Sequence, residues 1–452
     1  MKYRASFVLL PFLGSLLLSA CSDKGSSAIP GPAGDAAVSA VHGVGTAASA
    51  PREPVKLYFY VNGPTLTDTE FNQLIAKPIT NKYPHITLER IQPKTGVTIE
   101  DVFTTTPPDF SLIINPHPLI RLNAAEDLRP YIQKYGFDES RLKPILYDHI
   151  KEFGKSGEII AIPFNSNQAV LYYNKDIFDK FGVEYPPAGK QLSYEQLLEL
   201  GRKLTRTVNG TNYIGFEPNG ASDLMRLLQL PLLDPDSGKS LLLERPEWTR
   251  VFSFLKKVYD TPGFVGANRT YSYGRDAFMK DQTVALRVAN LANMVGPLEE
   301  LRQGGVEFNW DLAPSPNFED QLPKAREAQV HSFVITRTSK HKEEAFLGIK
   351  EILTDEVQRL LARNARVPAV INPQLEKDFG SDIPVLKGKR IEDTFVGQQL
   401  KNHRIHEYED KVTSILTEVS DDIVLNGADV NSALRKGSEK VDKAVQTLKN
   451  LN

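Results

Sequence analysis

The chain has 452 residues, with 54 Lys and Arg against 56 Asp and Glu and a formal net charge of −2. This near balance argues against a nucleic-acid partner and against a polybasic membrane-surface role. The single cysteine, Cys21, permits no internal disulfide, so the chain is not a disulfide scaffold.

The amino terminus reads as an export signal. Lys2 and Arg4 form a positive start, and Phe7 to Leu18 is an apolar run of 12 residues. A bilayer span needs roughly 20 such residues, so the run is too short to cross and fits a signal core. It ends in "LLSAC", which resembles the lipobox of bacterial lipoproteins. That resemblance implies cleavage after residue 20, acylation of Cys21 by chains such as palmitate, and stable membrane anchoring. The stretch 22–54 is dominated by Ser, Gly, Ala, Pro and Val. It has too few large apolar side chains for a core and is predicted to be a disordered tether.

From Val55 onward the chain is long enough for two domains with separate cores. "VKLYFYV" alternates and predicts a strand closed by the turn signal Asn62-Gly63-Pro64. A helical stretch follows over Thr69 to Ile75, then strands at "HITLERI" and "PDFSLIIN". This alternation predicts a parallel α/β layer. "EIIAIPF" reads as a strand ending at Pro163, and "AVLYYN" as the next strand. Asn174 and Gly182 are the expected caps of a helix. Ser193 with Gln196 predicts a capping box. Trp248, Val251, Phe252, Leu255, Val258 and Tyr259 recur at helical spacing behind Pro246, which places Trp248 in a core. "TVALRVAN" and "SFVITRTS" predict two more strands, with "WDLAPSP" between them as loop. Helices are expected over about 342–353 and 430–448, the second capped by Asp429.

Several stretches taken together resemble the extracellular solute-binding lipoproteins of ABC importers, in the sugar-binding branch that includes maltodextrin-binding members. They are "GEIIAIPFNSNQAVLYYNKDIFDKFGV", "PPAGKQLSYEQLLELGRKLT", "AFMKDQTVALRVAN", "ITRTSKHKEEAFLGIKEILTDEVQ" and "ADVNSALRKGSEKVDKAV". The resemblance implies an α/β, two-lobed periplasmic-binding-protein-like fold of type II, with a hinge crossed three times. The implied crossings fall near Ile162–Asn165, Val284–Asn290 and Gln329–Phe333. The N-terminal lobe is then 55–163 plus about 287–329, and the C-terminal lobe 164–286 plus about 330–452. Such folds close on a ligand by hinge motion.

No nucleophile elbow, His-Glu-x-x-His or Walker loop is present, so the chain reads as a non-enzyme. "HRIHE" places His403, His406 and Glu407 at the spacing of one helix turn, but no third ligand pattern accompanies them. "DPDSGK" carries two carboxylates of a calcium loop without the closing Glu, and reads as a β-turn. No metal or cofactor is expected.

Ligands of open α/β sheets sit beyond the carboxyl ends of strands. Those ends offer Asn62; Asn115 and His117; Phe164, Asn165 and Asn167; Asn219 and Ser222; and Asn290 and Asn293. Amides donate and accept together, which suits hydroxyl-rich neutral ligands. Sugar-binding relatives usually carry tryptophans at such loops. This chain has Leu291 to Met294 at one of them, which leaves Phe164, Tyr271, Tyr273 and Tyr408 as the candidate stacking rings. No Arg cluster is evident, which argues against a phosphate or dicarboxylate. The expected role is that of an anchored monomer outside the cytoplasm, taking a small polar solute such as a carbohydrate or oligosaccharide to permease subunits. The rivals are a surface sensor without a transporter and a glycan-active enzyme.

Overall fold

The computed structural model describes residues 53–92 and 94–451. The signal segment, Cys21 and the tether as far as residue 52 lie outside the described residues. None of the described helices is long and apolar enough to cross a membrane.

Strands β1 (Val55–Asn62), β2 (Ile86–Ile91) and β3 (Phe110–Ile113) pair in parallel, with β1 between the other two. The alternation of "VKLYFYV" buries Leu57 and Phe59, and Phe59 stacks on Phe71 with ring centroids 5.4 Å apart. The predicted helix from Thr69 does not stop at Ile75. It starts at Asp68, passes through a wider turn over Asn72–Ala76, and runs to Lys82.

Strands β4 (Ile162–Asn167) and β5 (Ala169–Asn174) follow, with Gln168 alone between them. The strand expected to end at Pro163 continues through it. Proline cannot donate to a ladder, and the register against the neighbouring strand shifts between His331 and Ser332, opposite Pro163. The irregularity absorbs the missing donor. The helix Lys175–Phe181 then has the predicted caps. Asn174 Oδ1 accepts from the amides of Asp176 and Ile177, and Gly182 takes φ +65°. The Ser193–Gln196 capping box is formed, and Tyr194, Leu197, Leu198 and Leu204 are buried behind it.

Strands β6 (Arg206–Val208) and β7 (Thr211–Tyr213) form a small hairpin. The helix Pro246–Tyr259 buries every residue of its predicted stripe, and Trp248 donates from its indole to the Pro231 carbonyl at 3.3 Å. Strands β8 (Leu286–Asn290) and β9 (Trp310–Ala313) flank β5, both antiparallel. "WDLAPSP" is therefore not simply loop. Its first four residues are a buried strand, too short to show a period of its own. Strand β10 (Lys324–Glu327) pairs with the later β13 (Gln398–Leu400), while β11 (Gln329–Ile335) and β12 (Val367–Pro368) join a six-stranded sheet. The order of that sheet is β12–β4–β11–β3–β1–β2.

The two sheets define the lobes, and they correct the expected boundaries. β8 and β9 pair with β5, so residues 287–313 belong to the second lobe. β11 and β12 pair with β4 and β3, so the block beginning at Gln329 returns to the first. The chain returns to the second lobe before Lys389, which donates to the Trp310 carbonyl at 2.6 Å. The helices Ile415–Val424 and Val430–Leu451 pack there against Pro246–Tyr259. Short buried strands look alike in either sheet. The crossing implied near Val284–Asn290 does not occur, and the one before Lys389 was not expected.

Candidate functional site

A cavity of about 210 Å³ lies where the lobes meet. The first lobe contributes Asn115 from the end of β3 and Phe153. The second contributes Ser222, Arg226 and the segment 402–413. Glu327 and Gln329, at the end of β10 and the start of β11, lie beside the crossing at Ala328 and complete the lining. Larger grooves lie elsewhere: one of about 550 Å³ lined by residues of 298–310 and 384–389, and two of about 910 and 810 Å³, each lined from one lobe. Neither of the last two receives residues from both lobes.

Beside the cavity is a junction of amides. Asn167 Nδ2 donates to Asn293 Oδ1 at 2.9 Å, and its Oδ1 accepts from the Ala292 amide at 2.9 Å. Asn290 Nδ2 donates to Gln329 Oε1 at 3.1 Å, while its own Oδ1 accepts from Arg326 at 2.8 Å. His331 Nε2 lies 3.4 Å from that same Gln329 oxygen, and its Nδ1 lies 3.0 Å from Asn165 Oδ1. Burial holds His331 neutral down to about pH 3, helped by the nearby Arg366 and Arg226 guanidiniums. The junction thus ties together strand ends from both lobes mainly through side-chain amides, with the Arg326 guanidinium as a charged donor.

The opposite wall is charged. His403 Nδ1 stands 2.8 Å from Glu327 Oε1, and its Nε2 is 3.7 Å from Glu409 Oε1. Burial works against the imidazolium, yet the two carboxylates outweigh it and raise the pKa to about 9. Arg226 donates from Nη2 to the Ala328 carbonyl at 3.0 Å and leaves a buried Nε without a partner. Burial, with repulsion from Arg326, lowers its pKa to about 10. Beneath Asn115, which accepts from the His117 amide at 3.0 Å, Phe153 lies edge-on to His117 and His149, 4.9 and 5.1 Å away.

Of the residues expected at the site, Asn115 and Ser222 line the cavity. Asn167, Asn290 and Asn293 stand beside it in the junction, where Asn167 bonds Asn293 and Asn290 bonds Gln329 and Arg326. Asn165 is wholly buried on His331 and the Ser166 carbonyl. Phe164 is a core ring 5.0 Å from Phe333, so it cannot stack on a ligand. Asn62 ends β1 opposite Ile113, and Asn219 donates to the Val288 carbonyl. Tyr271 bonds Asp421 and Tyr273 bonds the Phe264 carbonyl, both within the second lobe. Tyr408 is buried, its ring 5.5 Å from His406. His117 is also buried, and burial beside Arg121 lowers its pKa to about 4.

Three further expectations change. "HRIHE" is not a helix turn: residues 401–406 are irregular, and His403 and His406 are largely buried. Arginine does reach the site, through Arg226 with Arg326 close behind. Of the segment 402–413 the sequence offered His403, His406, Glu407 and Tyr408, but not Asn402, Ile405, Glu409, Asp410 or Thr413, which also line the cavity from a stretch with little periodic signal. "DPDSGK" is a turn as expected, with Asp234 Oδ1 accepting from the Ser237 amide at 2.8 Å. Among the described residues no group of three or more His, Cys, Asp or Glu is placed to hold a metal ion.

The same fold is seen in solved structures of low sequence identity. An ABC substrate-binding protein from Listeria monocytogenes in complex with cycloalternan superposes with TM-score 0.69 at 17% identity, covering 87% of this chain and all of that one. UgpB from Mycobacterium tuberculosis in complex with glycerophosphocholine gives TM-score 0.65 at 17% identity, covering 88% of this chain and all of that one. In sequence, the sn-glycerol-3-phosphate-binding periplasmic protein UgpB of Salmonella paratyphi A is 40% identical over 71 residues. That stretch spans only 15% of either chain. The family model described as bacterial extracellular solute-binding protein matches residues 63–359. With that match over most of its length, and a polar cavity built from two lobes, this chain belongs to the bacterial extracellular solute-binding protein family.

Proposed function

We propose that the protein is the solute receptor of an ABC importer, held outside the cytoplasm by a lipid on Cys21. It captures a small polyhydroxy solute between its lobes and presents it to permease subunits. The observation that carries this reading is the interlobe cavity, with polar groups from both lobes and from the strand ends at the hinge. A volume of about 210 Å³ is below the roughly 300–1,000 Å³ of drug-sized ligand sites. It suits a polyol or single sugar better than an oligosaccharide. Phe153 offers an apolar surface for the carbon skeleton, and the amides and Ser222 offer both donors and acceptors.

A second reading, a phosphorylated polyol, is supported by the unpartnered Nε of Arg226 and by the name of the UgpB relatives. A thermal-shift panel of polyols, monosaccharides, oligosaccharides and glycerol phosphates separates the two. A solute at 100 times its dissociation constant adds about 2.7 kcal/mol of stability. A shift with neutral polyols or single sugars supports the first reading, and one confined to phosphorylated solutes supports the second. Stabilisation by oligosaccharides alone contradicts both, as does turnover of the bound solute. Cys21→Ser is expected to release the protein from the membrane fraction with its solute response intact. Retention of that variant at the membrane contradicts the lipid anchor.

A further inference from the structure

Charge bridges the lobes at the cavity's edge. Arg121 is the last residue of the short helix His117–Arg121 in the first lobe. Its two terminal nitrogens donate one to each oxygen of Asp410, both at 2.8 Å. Nη1 also donates to the Glu407 carbonyl, and Nη2 to Glu100 at 3.4 Å. The guanidinium carbon lies 5.9 Å from the Tyr408 ring centroid. Asp410, Glu407 and Tyr408 belong to a segment fixed in the second lobe, where Glu409 accepts from the Leu233 amide at 3.2 Å.

Three more pairs cross the same way. Lys411 meets Glu100, Lys155 lies 3.3 Å from Glu407, and Lys401 lies 3.5 Å from Glu152. They are not equal. The Arg121 and Asp410 side chains are only 12% and 23% exposed, whereas those of Lys155 and Lys401 are 73% and 60% exposed. A two-point guanidinium–carboxylate pair removed from water is stronger than an open lysine pair. None of these contacts requires a solute.

We propose that Arg121 is a positioning residue that clasps the cleft shut before any solute arrives. Closure is then an equilibrium of the protein itself, and a solute adds to a closed population that already exists. Asp410 lines the cavity, so the clasp also fixes part of the wall that meets the solute. Breaking it opens the cleft and speeds solute exchange. The proposal rests on the receptor reading only in taking the cavity as a cleft that opens.

The test is hydrogen–deuterium exchange on the full chain with no solute added. It compares the wild type with Arg121→Gln, Arg121→Lys, Asp410→Asn and the swapped pair Arg121→Asp with Asp410→Arg. Arg121→Gln and Asp410→Asn are expected to exchange several-fold faster over 112–123 and 402–413, with β1 and β5 unchanged. Lysine cannot make the two-point contact, so Arg121→Lys falls between. The swapped pair restores part of the protection, because a carboxylate at position 121 also faces Glu100 and the Glu407 carbonyl. Unchanged exchange in both single variants overturns the clasp. If exchange rises throughout, the swapped pair decides: partly restored protection supports the clasp and lost protection overturns it. A solute panel without effect would end the receptor reading and leave this result standing.

Discussion

Two histidines, His331 buried and His403 largely so, stand at the cavity in opposite electrical settings. His331 sits in the amide junction among neutral partners, with Arg366 and Arg226 nearby, and stays unprotonated to about pH 3. His403 sits between Glu327 and Glu409 and keeps its proton to about pH 9. The junction joins the lobes through amide hydrogen bonds and one from Arg326, and it offers His331 no carboxylate partner for an added proton. The 402–413 wall is held by opposite charges and loses strength when one is removed. One side of the cavity is therefore vulnerable to acid, and the other to alkali and salt.

The largest expected effect is at the charged wall. Glu327→Gln removes one partner of a buried pair, which costs about 3–5 kcal/mol. The sign of its pH dependence follows from His403. The folded chain holds that proton to about pH 9, while the unfolded chain releases it near 6.5. The stabilisation is complete below pH 6.5 and is lost as pH rises through 9. Denaturant titrations of wild type and variant are expected to differ most at pH 6 and to converge above 9. A constant difference would detach Glu327 from His403.

Next comes the neutral side. Asn167→Ala strands the Ala292 amide and Asn293 Oδ1, and a buried group left unmet costs about 1–3 kcal/mol. Because no net charge is involved, its melting-temperature loss should be the same at low and high salt. A loss that shrinks with salt would break the contrast between the two walls.

His331→Asn tests the acid limb. The unfolded chain takes a proton at this position from about pH 6.5 downward, and the folded chain refuses it until about 3. Stability therefore falls with pH across that window, by up to about 1.4 kcal/mol per unit from this one group. His117, lowered to about 4, adds in the same direction. The variant is expected to flatten the acid limb without abolishing it, and an unchanged slope would remove His331 from the account.

The smallest effect belongs to the exposed rim. Lys155→Ala should cost no more than about 0.2–1 kcal/mol, and nothing measurable in high salt. A larger loss would mean that the rim pairs, and not Arg121, carry the closure.

What was legible in the sequence was local. The Ser193 box, the Asn174 and Gly182 caps and the stripe of Trp248 depend on residues within a turn or two of each other. The lobe boundaries were not legible. β8, β9 and β11 are short buried strands, and nothing in five apolar residues names the sheet they join. The site was legible by half. Strand ends did converge, but the amides of Asn167, Asn290 and Asn293 are consumed in holding the hinge, while Asn115 remains at the cavity. His403 was noticed but not its pairing, because His403 and Glu327 are 76 positions apart and the backbone over 401–406 follows no period. Phe153 was missed for a related reason: it follows the helix Pro144–Lys151 in an irregular turn, away from any strand end.

The central claim is that the cavity between the lobes is where solute binds. Ser222 lines it from the second lobe and is exposed, so Ser222→Trp fills the space without burying or unburying a core side chain. Titration calorimetry of wild type and Ser222→Trp with whichever polyol, single sugar or glycerol phosphate stabilises the wild type is the most direct test. The account predicts one saturable site in the wild type and no heat of binding in a folded variant. Undiminished binding to Ser222→Trp would contradict it.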